Sequence, residues 1–255
     1  MGFEKIELAG GRAVLYRGDM FSAMPDIPEL DALIADPPYC SGGMYRADRV
    51  KSVSDKYEQS GVVNKRLPFA GDGKDQRAFM GWMHLWLRAA PVKIGGRVMV
   101  FSDWRQLPAV TDAMQWADLC WRGVLTWDKG LGSRAPHKGY ARHQAEFVAW
   151  GTNGPCPVAT HAGPFPGVYS HAVRQSDKHH MAGKPTPLMI DLCQHVEPDG
   201  IILDPFMGSG TTGVAALLSG RRFIGVEIDP GHFATACARI EEAARRMGLA
   251  EGAAA

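Results

Sequence analysis

The sequence has no paired cysteines. Its five (Cys40, Cys120, Cys156, Cys193, Cys237) are scattered singly, and no two stand in C-x-x-C spacing. That pattern speaks against a disulfide framework or a thiolate zinc site and suits reduced thiols. A long apolar run is also missing. The longest stretch free of Asp, Glu, Lys and Arg, Phe147 to Val173, holds Pro155, Pro157, Pro164, Pro166 and several glycines, so it cannot form a membrane helix. The first residues carry no apolar leader core, and no repeat occurs at any period. The expectation is a soluble, cytoplasmic protein. An excess of one charge is absent too: 28 bases face 27 acids.

What is present is uneven. Residues 1–36 hold three bases against seven acids and residues 185–255 hold five against nine, so the middle carries the whole positive excess. Lys129, Arg134, Lys138 and Arg142 fall in one acid-free stretch. A basic middle between acidic flanks suits a polyanion docking on one face, although scattered bases also make an ordinary solvated surface.

Strand-like and helix-like segments alternate. Gly11–Arg17, Leu30–Ala35, Arg97–Ser102, Cys120–Trp127, Ala145–Trp150, Gly200–Asp204 and Arg222–Ile228 read as strands. Arg77–Ala90 is a helix by the spacing of Phe79, Trp82, Met83, Trp86 and Leu87, and its tryptophan stripe reads as core or as a subunit contact. Pro185–His195, Thr211–Ser219 and His232–Met247 are further helices, and Ile94-Gly95-Gly96 reads as the end of a connection. Such alternation predicts one α/β domain over residues 1–255. Segments 40–76 and, apart from the strand Ala145–Trp150, 128–180 are predicted as loop regions, and 249–255 as a frayed tail.

Two segments carry chemistry. Asp204-Pro205-Phe206-Met207-Gly208-Ser209-Gly210-Thr211-Thr212-Gly213 follows a strand and opens a helix. Glycines there allow a tight turn and close approach to a ligand, and Glu227 at the end of the next strand can accept from both hydroxyls of a ribose. The G-x-G-x-x-G within it is shared by dinucleotide enzymes and by users of S-adenosylmethionine. Too few residues follow for a second mononucleotide half, and no G-K-[ST] occurs, which argues against a nicotinamide enzyme and a P-loop. The other segment is Asp36-Pro37-Pro38-Tyr39, at the end of an apolar strand. An Asp-Pro turn explains its first two residues but not the aromatic.

Together the two segments resemble the amino-methyltransferases of DNA, S-adenosylmethionine-dependent enzymes that methylate exocyclic amines. The tetrad comes early and the glycine turn late, which resembles the circularly permuted β-type order. Gly18-Asp19 and His180-Met181-Ala182-Gly183-Lys184-Pro185 are similar to two other segments of that family, with Met181 where the family has proline. The resemblance covers roughly 11–39, 77–103, 121–150 and 178–240. It implies a Rossmann-like, seven-stranded, mostly parallel sheet with helices on both faces. Its strand order would be Gly11–Arg17, Arg222–Ile228, Gly200–Asp204, Leu30–Ala35, Arg97–Ser102, Ala145–Trp150, Cys120–Trp127.

The resemblance implies S-adenosyl-L-methionine as cofactor, S-adenosyl-L-homocysteine as product, and no metal. Asp19, Asp36, Lys184, Pro185, Asp204, Pro205, Phe206, Gly208, Ser209, Gly210, Thr211, Thr212 and Glu227 would bind the cofactor. Asp36, Pro37, Pro38 and Tyr39 would be catalytic. The Asp36 carboxylate and the Pro37 carbonyl would each accept an N–H of the target amine, and Tyr39 would stack on a flipped base. Asp at the head of the tetrad favours adenine N6. Cytosine N4 remains the alternative, followed by an RNA or protein-amide substrate on the same fold and by a DNA-binding regulator without catalysis. Double-stranded DNA is the expected partner, with Lys129, Arg134, Lys138, Arg142 and Arg174 on phosphates. A homo-oligomer and a cognate restriction endonuclease are further expected partners.

Overall fold

The computed structural model describes residues 3–40, 73–133, 135, 137–172 and 183–249. Arg134, Arg174 and His180 to Ala182 lie outside the described residues, as does most of the 40–76 segment.

Among the described residues one mixed sheet of nine strands organises the fold. In chain order these are β1 (Glu4–Leu8), β2 (Ala13–Arg17), β3 (Leu30–Ala35), β4 (Val92–Ser102), β5 (Cys120–Asp128), β6 (Ala145–Thr152), β7 (Val168–Ser170), β8 (Ile201–Asp204) and β9 (Arg222–Glu227). The spatial order is β1-β2-β9-β8-β3-β4-β6-β5-β7. Strands β2, β9, β8, β3 and β4 run parallel, and β6 is antiparallel to both β4 and β5. The seven expected strands stand in the expected order. The sheet is wider than expected by one strand at each edge, β1 antiparallel to β2 and β7 parallel to β5.

Period-two alternation in the central strands assigns the two faces. Ala32, Ile34, Met99 and Phe101 point to one core, Leu33, Ala35, Val98 and Val100 to the other. The first face is covered by α4 (Thr186–Cys193), α5 (Thr211–Leu218) and α6 (Pro230–Arg246), through Leu188, Leu192, Ala215, Leu217, Phe233 and Ile240. The second is covered by α1 (Met20–Ala23), α2 (Gln76–Ala89) and α3 (Leu107–Trp116), through Met20, Phe79, Met83, Trp86, Val110 and Met114. Of the tryptophan stripe, Trp86 is fully buried in this core and Trp82 is half-buried against it.

Helix α2 begins where the Asp75 side chain accepts from the Arg77 and Ala78 N–H groups, and α6 where Asp229 does the same for Gly231 and His232. The Gly95-Gly96 pair, expected to end a connection, lies inside β4. Gly95 has φ 78°, and a Cβ on Gly96 would meet the Asp31 carbonyl oxygen at 3.0 Å. The pairing of β3 with β4 slips between Leu30 and Ala32, and the two glycines absorb that irregularity. Among the described residues no helix is long and apolar enough to cross a membrane.

The consequence for function is topological. Strands β3 and β8 are adjacent and parallel, with Leu33 beside Leu203. The chain leaves β8 for α5 on one face, and the helix that follows β3, α2, covers the other. A crevice at the carboxyl ends of such a strand pair is where open α/β sheets bind ligands.

Candidate active site

The carboxyl edge of the sheet carries an ordered row of polar groups. Glu227 ends β9, Asp204 ends β8, and Asp36 follows β3. Parallel strands about 4.8 Å apart place these three within roughly 10 Å along the edge. Strand β6 runs the other way, so its first residues, including Glu146, start at this same edge beside Trp127 and Asp128 of β5.

The glycine turn is built from below by Asp204. Its carboxylate accepts from the Phe206 N–H at 3.0 Å and from the Thr212 hydroxyl at 2.5 Å, tying the turn to the first residues of α5. Gly210 caps that helix at φ 79°, where a side chain would be strained, and a Cβ there would meet Ala236 at 2.9 Å. From the other side Arg239 of α6 donates to the Ser209 carbonyl, the Ser209 hydroxyl and the Thr211 hydroxyl. Glu227 accepts from the Gly208 N–H at 2.9 Å and from the Asp229 N–H at 2.7 Å. Burial pushes the Asp204 carboxyl up to about 7, with the nearby Asp36 and Glu227 charges adding to it, and burial also raises Glu227. Phe206 packs its ring against Trp82 and Trp86 of α2, each with centroids 5.2 Å apart, while Pro205 is buried.

Asp19 stands at the end of β2. Its side chain accepts from the Phe21 N–H at 2.9 Å and starts α1, and the neighbouring Gly18 N–H bonds the Glu227 carbonyl. That places Asp19 beside Glu227 on the same edge.

Around the tetrad the charges interlock. Lys184, 8% exposed, donates to Asp36 Oδ2 at 2.6 Å and lies 3.5 Å from Glu146 Oε2. The Tyr39 hydroxyl donates to Asp36 Oδ1 at 2.8 Å and reaches Glu146 Oε2 at 3.4 Å. Lys129 donates to Glu146 Oε1 at 3.1 Å. The rings of Tyr39 and Phe101 flank the Lys184 ammonium, with centroids at 5.3 and 5.0 Å. Pro185 is the extended residue that ends this segment and caps α4.

Two carboxylates and two ammoniums thus form a neutral cluster. Burial raises the Asp36 carboxyl, and the adjacent Lys184 offsets that only in part. Burial would raise Glu146 as well, but Lys184 and Lys129 together outweigh it and hold this carboxyl below its ordinary value. Lys184 is held above its ordinary value because Asp36 and Glu146 outweigh its burial. Burial and the Asp36 charge keep the Tyr39 phenol well above its usual range, so it stays a hydrogen-bond donor.

The structure therefore brings Asp36 to Tyr39, Lys184, Pro185, the 204–212 turn and Glu227 to one edge of the sheet. The basic candidates divide. Lys138 and Arg142 are exposed on the segment between β5 and β6, with Arg142 donating to the Ser133 carbonyl. Lys129 is turned inward onto Glu146, with 17% of its side chain exposed, so its place is in the site cluster rather than on an outer surface. Glu146 itself was not among the expected residues. Its signal was an acid near the start of an otherwise apolar segment, Ala145–Trp150, which reads equally well as the solvent side of a strand.

Several known proteins are similar to this chain. The YubD protein of Escherichia coli (strain K12) is 28% identical over 221 residues, 83% of each chain. The type II methyltransferase M2.DpnII of Streptococcus pneumoniae is 25% identical, over 90% of each chain. Among solved structures, the M1.HpyAVI–SAM complex superposes with a TM-score of 0.66 at 22% identity, covering 89% of this chain and 98% of that one. PvuII DNA methyltransferase (cytosine-N4-specific) superposes with a TM-score of 0.68 at 16% identity, covering 98% of both. At those identities the structural matches speak for the fold. The N6/N4 methyltransferase family, described as DNA methylase, matches residues 30–237, from β3 and its tetrad to the α6 helix behind the glycine turn. Most of the chain is thereby covered, and it belongs to the N6/N4 DNA methylase family.

Proposed function

We propose that the protein transfers a methyl group from S-adenosyl-L-methionine to the exocyclic N6 of an adenine swung out of duplex DNA. The observation that carries this reading is the half-buried Asp36 carboxylate, one strand away from the glycine turn that starts from Asp204. Cytosine N4 is the second reading. It is favoured by the fold match to a cytosine-N4-specific enzyme, while Asp36 at the head of the tetrad favours adenine.

The turn fits the cofactor's chemistry. Asp204 and Glu227 are carboxylates raised by burial, and their hydrogen-bond partners are backbone N–H groups and a hydroxyl. A ligand carrying an ammonium and ribose hydroxyls would satisfy both. When bound, S-adenosylmethionine supplies an electrophilic methyl on a sulfonium.

The chain's residues would do the rest. The amine of adenine is a weak nucleophile because its lone pair is delocalised into the ring. Asp36 and the Pro37 carbonyl accept its two N–H bonds and turn the lone pair out of the ring plane. Proline fixes its own φ and donates nothing, so its carbonyl is held in place. Asp36, paired with Lys184 before the base arrives, stabilises the positive charge that develops on nitrogen in a water-poor site. Tyr39 offers its ring to the extruded base and its hydroxyl to Asp36. Lys138 and Arg142, on one exposed segment, would hold phosphates. A homo-oligomer would widen this small DNA-facing surface.

The test is to incubate the protein with methyl-labelled cofactor and unmethylated genomic DNA, then digest the DNA to nucleosides. Label in N6-methyldeoxyadenosine is the expected result. Label in N4-methyldeoxycytidine would establish the second reading, and unlabelled DNA would overturn both.

A further inference from the structure

The reading of Asp36 as acceptor of the target amine raises a steric question that the cluster answers. Both Asp36 oxygens already carry donors, Lys184 on Oδ2 at 2.6 Å and the Tyr39 hydroxyl on Oδ1 at 2.8 Å. Each oxygen can accept a second bond, but the donors already there occupy part of its acceptor capacity and draw off the negative charge that an incoming amine would use. A second carboxylate oxygen, Glu146 Oε2, lies only slightly farther from the same two donors, 3.5 Å from Lys184 and 3.4 Å from the Tyr39 hydroxyl.

Glu146 is equipped to receive them. It stands at the start of β6, paired with Trp127 of β5 one residue before the pairing with β4 begins, so its backbone is held by the sheet. Its other oxygen is held by Lys129 at 3.1 Å, which keeps it aimed and ionised. Shifting Lys184 from one carboxylate to the other needs a small side-chain motion and never leaves the buried ammonium unpaired. An unpaired buried charge is strongly unfavourable, so a site without Glu146 would keep Lys184 locked on Asp36.

We propose that Glu146 is a positioning residue that takes over the Lys184 ammonium and the Tyr39 hydroxyl as the target amine engages Asp36. No proton moves in this exchange; two hydrogen bonds change acceptor. The inference rests on the methyltransferase reading of the site and adds a residue to it. Three roles follow. Asp36 faces the base, Lys184 and Tyr39 move between acceptors, and Lys129 anchors the acceptor they move to.

The experiment measures methyl transfer to unmethylated genomic DNA by the full-length protein and its Glu146→Gln and Glu146→Asp variants. Cofactor affinity is taken by calorimetry and folding by a melting curve. For Glu146→Gln the expected kcat is about ten- to hundredfold lower, the worth of charge-assisted hydrogen bonds. Cofactor Kd and DNA KM should stay within about twofold of the unchanged protein, because on this account the residue acts after binding. Glu146→Asp keeps the charge but draws it back by one methylene, so its kcat should lie between those of Glu146→Gln and the unchanged protein. Where Glu146→Gln fails to fold, Glu146→Asp alone decides: a severalfold lower kcat at unchanged cofactor Kd supports the proposal, and an unchanged kcat overturns it. A Glu146→Gln protein with unchanged kcat, or one whose cofactor affinity falls in step with kcat, also overturns it. Asp36→Ala runs in parallel; if that variant still methylates DNA, the failure belongs to the reading of Asp36, not to Glu146.

Discussion

Asp204→Asn should make the protein more stable and less able to bind its cofactor. The carboxyl is 2% exposed, and burial pushes it from an ordinary 3.8 up to about 7. At about 1.4 kcal/mol per unit, ionising it in the folded state costs about 4 kcal/mol relative to the unfolded chain. The sign follows from which state binds the proton. Below about pH 4 both states hold it and nothing is lost. Between about 4 and 7 the folded state keeps the proton that the unfolded state has released, so stability falls as pH rises. Above about 7 the loss is complete and constant. Asparagine is nearly isosteric, its oxygen can accept from the Phe206 N–H, and its amide can donate to the Thr212 hydroxyl oxygen. Urea unfolding of both proteins with unchanged m-values is the assay. The variant should be more stable by up to about 4 kcal/mol at pH 8, and the gap should shrink by about 2 kcal/mol at pH 5.5. A variant no more stable than the parent at either pH, with a gap that does not move, would refute the argument that this carboxylate is ionised at a cost.

Further outcomes follow from packing and from charge. Gly213→Ala should lower stability by about 1–3 kcal/mol, because its Cβ would lie 2.6 Å from Ile240 and 2.7 Å from the Phe223 ring; helix propensity alone gives the opposite sign, by about 1 kcal/mol, so a thermal melt separates the two. Replacing Lys138 and Arg142 together by alanine should reduce the slope of log affinity for DNA against log salt by about 2, since each phosphate contact contributes about 0.9. A titration from low to moderate salt checks it, and an unchanged slope would remove both residues from the DNA surface. Cofactor affinity should weaken as pH falls below about 7, by at most tenfold per unit, because a cation held by Asp204 requires the ionised carboxylate; calorimetry across that range reads it.

Much of the fold was legible because its signals are local and strong. The Asp36 and Gly208–Gly213 segments each follow a strand, and their order in the chain implied the strand order that the sheet adopts. The edges were harder to read. In β1, Glu4-Lys5-Ile6-Glu7-Leu8 alternates charges with apolar residues and buries only Leu8 well, as an edge strand can afford. Strand β7 is three residues long inside a glycine- and proline-rich stretch. Helix α3 starts at Leu107-Pro108, where proline suits a first turn but offers no periodicity of its own. Gly95-Gly96 looked like punctuation and is instead a strand irregularity. The site divides in the same way. Asp36, Lys184, Asp204 and Glu227 belong to recognisable segments, whereas Glu146 and the inward turn of Lys129 depend on β6 running antiparallel, a fact of the assembled sheet.

The most direct test of the whole account compares the protein with its Asp36→Ala variant for S-adenosylmethionine binding and for labelled methyl transfer to DNA. The account predicts that both proteins bind the cofactor and that the variant transfers methyl groups at least about a hundredfold more slowly. Transfer by the variant at the unchanged rate would contradict it.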